Sequence, residues 1–435
     1  MHNSADSSKN TGIPPLIKRN TALFALSQSF TGAGMQFAFG LGPLMVITLT
    51  GSANLAGLSV GLIGLSRFMV AYPVGKITDT YGRKPGILFG LALALAGAIA
   101  VGYSMNLHSL AMLFGGMLVF GMGMNASQQL RVAATDMFPP HRRAQALGYI
   151  ALGSLVGLVI SPVVISMAEK VAPRLSMEPL GLPWLLLPVL IIAGMTLIAF
   201  VHPDPKEIGL HLEDYYPDYV PPPQSPAGQG ANFSTLTMLR NVPVRMAIVS
   251  NCAAHANMSI VMVLTSLVLS HHGHSLGAIA FSHMFHSAGM FAFTVPLGKL
   301  ADRFGRDKVM FPGVATALTG AALVAFTGDF WAVTLGTYLV GLGWAAANVA
   351  ATALIADHAE TNERGRAIGV NESVAGAASV VMALVTGPLI QHSGLSAAGW
   401  VAVLISVPPL LMLLSVQLKE HLARRKVATA LVETP

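Results

Sequence analysis

The sequence predicts an all-α membrane protein with twelve transmembrane helices in two six-helix repeats, and with both termini in the cytoplasm. Only 10% of the 435 residues are charged and 53% are hydrophobic, whereas soluble proteins carry about 25% charged residues. The apolar residues fall into twelve stretches long enough to cross a bilayer, which takes about 20 residues. Short motifs in the first half of the chain also recur in the second half.

Glycine, proline and charged residues separate the predicted spans, and long polar loops are rare. Spans 1 to 6 cover 22–49, 56–75, 85–104, 109–131, 144–168 and 183–201, and spans 7 to 12 cover 243–270, 275–299, 308–327, 331–356, 365–391 and 396–416. A proline-rich linker at 202–242 divides them six and six. The predicted organisation is therefore a disordered tail at 1–20, a bundle at 21–201, this linker, a second bundle at 243–418 and a tail at 419–435.

Positive charges are concentrated on one side of the predicted membrane. If loops are assigned alternately from the N-terminus, all but four of the 25 Lys and Arg residues share its side; Lys170 and Arg174 lie on the other side, and Arg67 and Arg131 lie inside spans. Loops rich in Lys and Arg stay in the cytoplasm, so both termini are predicted there. This bias explains the net charge of +6 and gives no reason to expect nucleic-acid binding. Acidic residues within spans are few, and the main ones are Glu372 in span 11 and Asp357 at the end of span 10.

The two halves share a loop motif. GKITDTYGRK at Gly75–Lys84 matches GKLADRFGRDK at Gly298–Lys308 at an offset of 223 residues, and RRAQALG at Arg142–Gly148 matches ERGRAIG at Glu363–Gly369 at an offset of 221. Two related halves of six spans fit the parallel repeat of a secondary transporter.

The first motif resembles the G-x-x-x-D-x-x-G-R-[KR] signature of the major facilitator superfamily, which follows span 2 and here also follows span 8. The resemblance covers essentially all of 20–418 and implies a transporter rather than an enzyme. We expect a conformational latch in which the aspartates cap a nearby helix or pair with arginines across the interface between the halves. The latch residues would be Gly75, Asp79, Gly82, Arg83, Gly298, Asp302, Gly305 and Arg306.

Spans 7 and 8 each carry a stripe of soft metal ligands. The ligands recur at spacings of three and four, which place each stripe on one face of a helix. Thioethers and imidazoles suit monovalent copper. The stripes comprise Cys252, His255, Met258 and Met262 in span 7, and His283, His286 and Met290 in span 8, while the repeat adds Met35 as the span 1 equivalent of Met258.

Met258-x-x-x-Met262 and His286-x-x-x-Met290 resemble the paired MxxxM and HxxxM motifs of the CcoA-type copper importers of the bacterial inner membrane. The resemblance implies that copper is the transported substrate and that copper chaperones are possible partners. It also implies that the imported copper is used in cytochrome oxidase assembly. At ~1.5 Å per residue, Met258 and His286 would share a level. Met262 would lie one turn farther out and Met290 one turn farther in.

Two other functions remain open from the residues alone. The chain could be an ordinary facilitator for a vitamin, metabolite, siderophore or drug, with or without proton coupling, in which the Met and His side chains are merely packed. It could also be a non-transporting copper sensor. The sequence has no G-x-x-x-x-G-K-[ST] phosphate loop, so we expect no ATP hydrolysis. We also expect no bound cofactor and no obligate protein partner. The membrane potential, about 2.3 kcal/mol per charge per 100 mV, could drive copper inward.

Overall fold

The computed structural model describes residues 12–139, 142–217, 219, 235–358 and 364–432, and this part of the chain contains helices and no strand. The N-terminal half comprises α1 (Pro15–Thr31), α2 (Ala33–Thr50), α3 (Ala56–Tyr81), α4 (Arg83–Asn106), α5 (Leu110–Ser127), α6 (Gln129–Asp136), α7 (Arg143–Val171) and α8 (Leu182–Ala199). Three short helices follow: α9 (Pro205–Leu210), α10 (Leu212–Tyr215) and α11 (Thr235–Arg240). The C-terminal half comprises α12 (Val242–His271), α13 (Leu276–Ala292), α14 (Thr294–Phe304), α15 (Asp307–Phe326), α16 (Phe330–His358) and α17 (Arg364–Val432).

Of the described helices, ten are long and apolar enough to cross a membrane, or eleven if α13 and α14, bent by 41°, count as one. The last candidate, Ala367–Met412, has 46 residues, about twice what a bilayer needs. Its backbone leaves helical geometry at Gly394, where φ is 83°. The segments on either side of Gly394 correspond to predicted spans 11 and 12.

Both predicted tails are partly helical. Helix α1 begins at Pro15, inside the stretch predicted to be disordered, because proline at the first helical position has a φ suited to a helix and needs no hydrogen-bond acceptor. Ile17 is fully buried, and Asn20 Nδ2 donates to the carbonyl of His202. Helix α17 likewise runs to Val432, past the predicted end of span 12. Residues 1–11 and 433–435 lie outside the described part of the chain.

The repeat seen in the sequence is also a repeat of packing. Helix α4 packs along α5 and α15 packs along α16, and both contacts depend on glycine. A β-carbon at Gly123 would overlap the backbone of Ala94, and one at the equivalent Gly343 would approach the backbone of Ala317. Small residues allow this close approach of helices in a membrane.

The start of the predicted linker folds against the N-terminal half, at the end of the bundle that also holds Arg83 and Arg306, which we call the basic end. Ile208 and Leu212 are buried there. The Tyr216 hydroxyl donates to the carbonyl of Met137 at 3.3 Å. Burial raises the pKa of Tyr216 to about 12, partly offset by the charge of Arg142. This segment is thus part of the folded N-terminal half.

Candidate functional site

The two loop motifs form equivalent turns with equivalent ion pairs. Gly82 and Gly305 both have φ of 105°, a conformation that side chains other than glycine rarely adopt. The turns present Arg83 and Arg306 to the ends of α6 and α16. Arg83 Nε donates to Asp136 Oδ2 at 2.7 Å, and Arg306 Nε donates to Asp357 Oδ2 at 3.1 Å.

The ion pairs that the structure describes for these motifs each join two elements of one half, and none of them crosses the interface between the halves, where the latch was expected. Asp302 pairs with Arg306 one helical turn away, and that hydrogen bond raises the pKa of Arg306 above its ordinary value. The side chain of Asp79 lies outside the described part of the structure. A β-carbon at Gly75 would meet open space, and one at Gly298 would meet only Val349 at 3.9 Å, so packing requires glycine at neither position.

Sequence reasoning missed three acidic partners at the basic end. Asp136 and Asp357 are equivalent at the offset of 221. That equivalence in the sequence could have indicated that both aspartates pair with the motif arginines. Asp204 has a further role, because its carboxylate accepts hydrogen bonds from the backbone N–H groups of Arg83 and Lys84, each at 2.9 Å. It therefore caps the N-terminus of α4 and ties the linker to the first turn motif.

The halves are joined by hydrogen bonds towards the end of the bundle opposite the basic end. Glu169 of α7 accepts from the backbone at the start of α13. Gln36 of α2 donates to Ser287 of α13. Gln391 of α17 accepts from the backbone N–H of Ala53 at 2.9 Å. We call this end the opposite end; in this conformation it is where the halves hold together.

Helices α3 and α17 run side by side across the interface between the halves. A β-carbon at Gly57 would overlap the carbonyl of Ala383, and one at Gly64 would reach Val380. The next pair towards the basic end is looser, since a β-carbon at Gly376 would meet Phe68 at 3.7 Å. The two helices therefore approach most closely near the opposite end and separate towards the basic end.

The two span 8 histidines are buried, and each uses one ring nitrogen. His283 Nε2 lies 2.9 Å from Ser266 Oγ, and His286 Nδ1 lies 2.8 Å from the carbonyl of Thr337. A carbonyl only accepts, so in the neutral ring Nδ1 of His286 carries the proton and Nε2 holds a lone pair. His283 Nδ1 and His286 Nε2 are both buried without a hydrogen-bond partner.

The predicted ladder has a different register in the structure. Thr337, which contacts His286, also accepts from Thr265 Oγ1 at 3.2 Å, so His286 lies level with Thr265 of α12. Thr265 is nearly two turns farther along α12 than Met258, the residue expected at that level. Ser266 Oγ, which meets His283, lies 3.0 Å from the carbonyl of Gly40 in α2 and 3.4 Å from that of Met262.

The methionines predicted to bind the metal differ in how far their side chains are exposed. Met262 is buried, whereas Met35, Met258 and Met290 are half-buried. Met35 and Met258 both pack against the main apolar core. Within the described residues, no three His, Cys, Asp or Glu side chains form a group that could hold a metal ion.

A polar cluster that the sequence did not reveal joins α12, α16 and α17. Asn348 Nδ2 donates to Asn251 Oδ1 at 3.2 Å and to Glu372 Oε1 at 3.3 Å. One turn along, the ring of His255 packs edge-on against Trp344 with centroids 5.2 Å apart. Asn251 and His255 thus lie one turn apart on α12. They face Asn348 and Trp344, which lie one turn apart on α16. We call these five residues the polar cluster.

The remaining intramembrane residues lie around this cluster or apart from it. Cys252 is half-buried beside Asn251, and Arg131 is half-buried on α6. Arg67 of α3 is exposed. In the described part of the chain, neither Arg67 nor Glu372 forms an ion pair. Two charges of opposite sign without an ion-pair partner therefore lie on α3 and α17, the helices that run side by side across the interface between the halves.

A helical bundle with this many spans, a sequence repeat and polar groups between its halves defines a multi-pass membrane transporter. The chain matches the family model of the Major Facilitator Superfamily over residues 24–282 and 246–433. It belongs to that family.

Two relatives and one solved structure agree with this assignment. An uncharacterized MFS-type transporter, YddS of Bacillus subtilis, is 26% identical over 399 residues, which cover 90% of each chain. The riboflavin transporter RfnT of Brucella anthropi is 25% identical over 417 residues, covering 91% of this chain and 96% of the relative. The crystal structure of the nucleoside transporter NupG superposes with a TM-score of 0.63 at 14% identity, covering 92% of this chain and 98% of NupG, a likeness of fold alone.

Proposed function

We propose that this protein is a twelve-span secondary transporter of the bacterial inner membrane, with both termini in the cytoplasm, that carries a small organic solute. The solute would bind between the halves, against the polar cluster, and reach either side of the membrane by alternating access. An organic solute thereby takes precedence over copper, the cargo expected from the Met and His stripes.

The polar cluster is the observation that carries the proposal. Amide groups, an imidazole, an indole and a carboxylate offer donors, acceptors and aromatic faces, which together suit a polar organic molecule. Amide and carboxylate oxygens are poor ligands for a soft monovalent metal, and the cluster offers such a metal only the imidazole of His255. Similarity to a riboflavin transporter supports an organic solute as well.

A comparison of ligands on the purified protein would test this. A ligand that binds only the folded state raises the unfolding temperature, so riboflavin and a panel of organic metabolites would be compared with copper(I) under reducing conditions. We expect an organic compound to stabilise the protein, and Asn348→Ala to remove that effect while His286→Leu retains it. Stabilisation by copper(I) alone, lost in His286→Leu, would overturn the proposal.

Copper remains a second candidate because of the unpartnered nitrogen of His286. Histidines that bind metal commonly donate their other ring N–H to a backbone carbonyl, which is how His286 meets Thr337. If copper were the cargo, Met258→Leu or His286→Leu would abolish copper accumulation at near-normal protein level. Silver would compete with copper, whereas zinc and manganese would compete much less.

A further inference from the structure

The two unpaired charges between the halves have different surroundings. Arg67 lies on α3 of the N-terminal half with its side chain exposed. Glu372 lies on α17 of the C-terminal half, is half-buried, and accepts hydrogen bonds from the neutral amides of Asn348 and Asn371 at 3.3 and 3.4 Å. Neutral donors leave its charge uncompensated. Arg67 and Glu372 thus place an uncompensated charge on each side of the interface between the halves.

The register of α3 against α17 places these charges about 7.5 Å apart along the interface, at ~1.5 Å per residue. Phe68 lies beside Gly376; Arg67 directly precedes Phe68, and Glu372 is one turn from Gly376 towards the basic end. Farther towards the opposite end, the tight contacts at Gly57 and Gly64 already hold the two helices together. Arg67 and Glu372 therefore lie next along the interface, where α3 and α17 begin to separate.

Closing the basic end changes the environment of both residues. While the halves are apart, water can solvate the guanidinium and the carboxylate. When the halves approach, both groups lose water, and an unpaired charge in an apolar surrounding is very costly. A conformation closed at the basic end therefore needs a counter-charge for each group.

We propose that Arg67 and Glu372 pair with each other when the basic end closes without a solute, and that with a solute bound Arg67 instead pairs with its anionic group and Glu372 with its cationic group. The inference rests on the proposed organic solute and narrows its class to zwitterions. In the closed state a cation would leave Arg67 unpaired and an anion would leave Glu372 unpaired, so both are excluded. Guanidinium presents several donors in a fixed plane, which suits a carboxylate or a phosphate group.

Hydrogen–deuterium exchange of the ligand-free protein would test the pair. Peptides covering 75–84 and 298–308 report the basic end, and a peptide covering 270–278 reports the opposite end. We expect Arg67→Gln and Glu372→Gln each to increase exchange at the basic end and decrease it at the opposite end. The double variant removes both charges, so it should change exchange less than the sum of the single variants. Arg245→Gln, which removes an exposed arginine at the basic end, is the matched control.

Three indole compounds that differ in charge would test the class of solute. Indole-3-acetate is an anion, tryptophan a zwitterion and tryptamine a cation, and each offers an aromatic ring to His255 and Trp344. We expect tryptophan to raise the unfolding temperature more than either of the other two, and Arg67→Gln to abolish the difference between tryptophan and tryptamine.

Additive effects of the two single variants on exchange would overturn the pair. Stabilisation by none of the three indoles, or equal stabilisation by indole-3-acetate or tryptamine, would overturn the class of solute. Failure of the proposed function would look different. Copper(I) alone would then stabilise the protein, while the effects of the Arg67 and Glu372 variants on hydrogen–deuterium exchange would still be non-additive.

Discussion

Glu169 of the N-terminal half accepts a hydrogen bond from the backbone N–H of Gly277 in the C-terminal half, at 3.1 Å. Its other carboxylate oxygen accepts from the N–H of Leu276 at 3.0 Å. The first turn of a helix has free N–H groups and a partial positive charge, so Glu169 caps α13 from across the interface. The contact can exist only while the opposite end is closed.

Glu169→Gln should favour opening of the opposite end. The amide keeps one acceptor but loses the charge, and a charge at a helix N-terminus contributes about 1 kcal/mol, a shift of roughly fivefold between the two conformations. Faster hydrogen–deuterium exchange in a peptide covering 270–278 would show this. Glu178→Gln is the control, because Glu178 also lies at the opposite end and its side chain makes none of the contacts with α13. Equal exchange in both variants would show that the Glu169 cap does not hold the halves together.

Gly277→Ala should act on the same contact by steric means. A β-carbon at Gly277 would overlap Ser166 Oγ of α7, so closing the opposite end would force α7 and α13 apart. Ser166→Gly removes the obstructing side chain and should restore much of the wild-type exchange to the double variant. If Gly277→Ala alone exchanged like the wild type, the close packing of α7 on α13 would be wrong.

Local sequence patterns predicted the helices and the repeat, because apolar length and motif spacing can be recognised from neighbouring residues alone. Gly82 and Gly305 are examples, since the motif that contains them forms the same turn in both halves. Pairing over long distances in the chain was not predictable in this way. Arg83 pairs with Asp136, 53 residues away, and the choice of partner depends on how α6 packs.

The candidate site shows the same limit. The spacing of His283 and His286 predicts one helix face, but the rotation of α13 decides which neighbours each ring meets. His286 contacts α16 and His283 contacts Ser266 of α12. The polar cluster could not be predicted from the sequence, because Asn251, Asn348 and Glu372 are far apart in the chain and form no motif.

Asp204→Ala should destabilise the N-terminal half. The substitution removes the acceptor for the N–H groups of Arg83 and Lys84 and for Lys206 in its own helix. Loss of a helix cap costs about 1–2 kcal/mol, and here one carboxylate caps two helices. Thermal unfolding in detergent should show a lower midpoint, with Asp204→Asn falling between the wild type and Asp204→Ala. An unchanged midpoint for Asp204→Ala would mean that the linker is not held by this cap.

Asp136→Asn and Asp302→Asn should differ in their effect on stability, although both remove an aspartate that pairs with a motif arginine. The Asp302 side chain is 71% exposed, and exposed ion pairs contribute only about 0–1 kcal/mol because water and salt screen them. Asp136 and Arg83 are 22% and 18% exposed, so screening is weaker and the hydrogen bond joins α6 to the turn before α4. We therefore expect Asp136→Asn to lower the unfolding temperature and Asp302→Asn to leave it nearly unchanged. Repeating the measurement in about 1 M salt should shrink any small effect of Asp302→Asn more than that of Asp136→Asn. A larger loss for Asp302→Asn would instead support a role for Asp302 between the halves, as the motif first suggested.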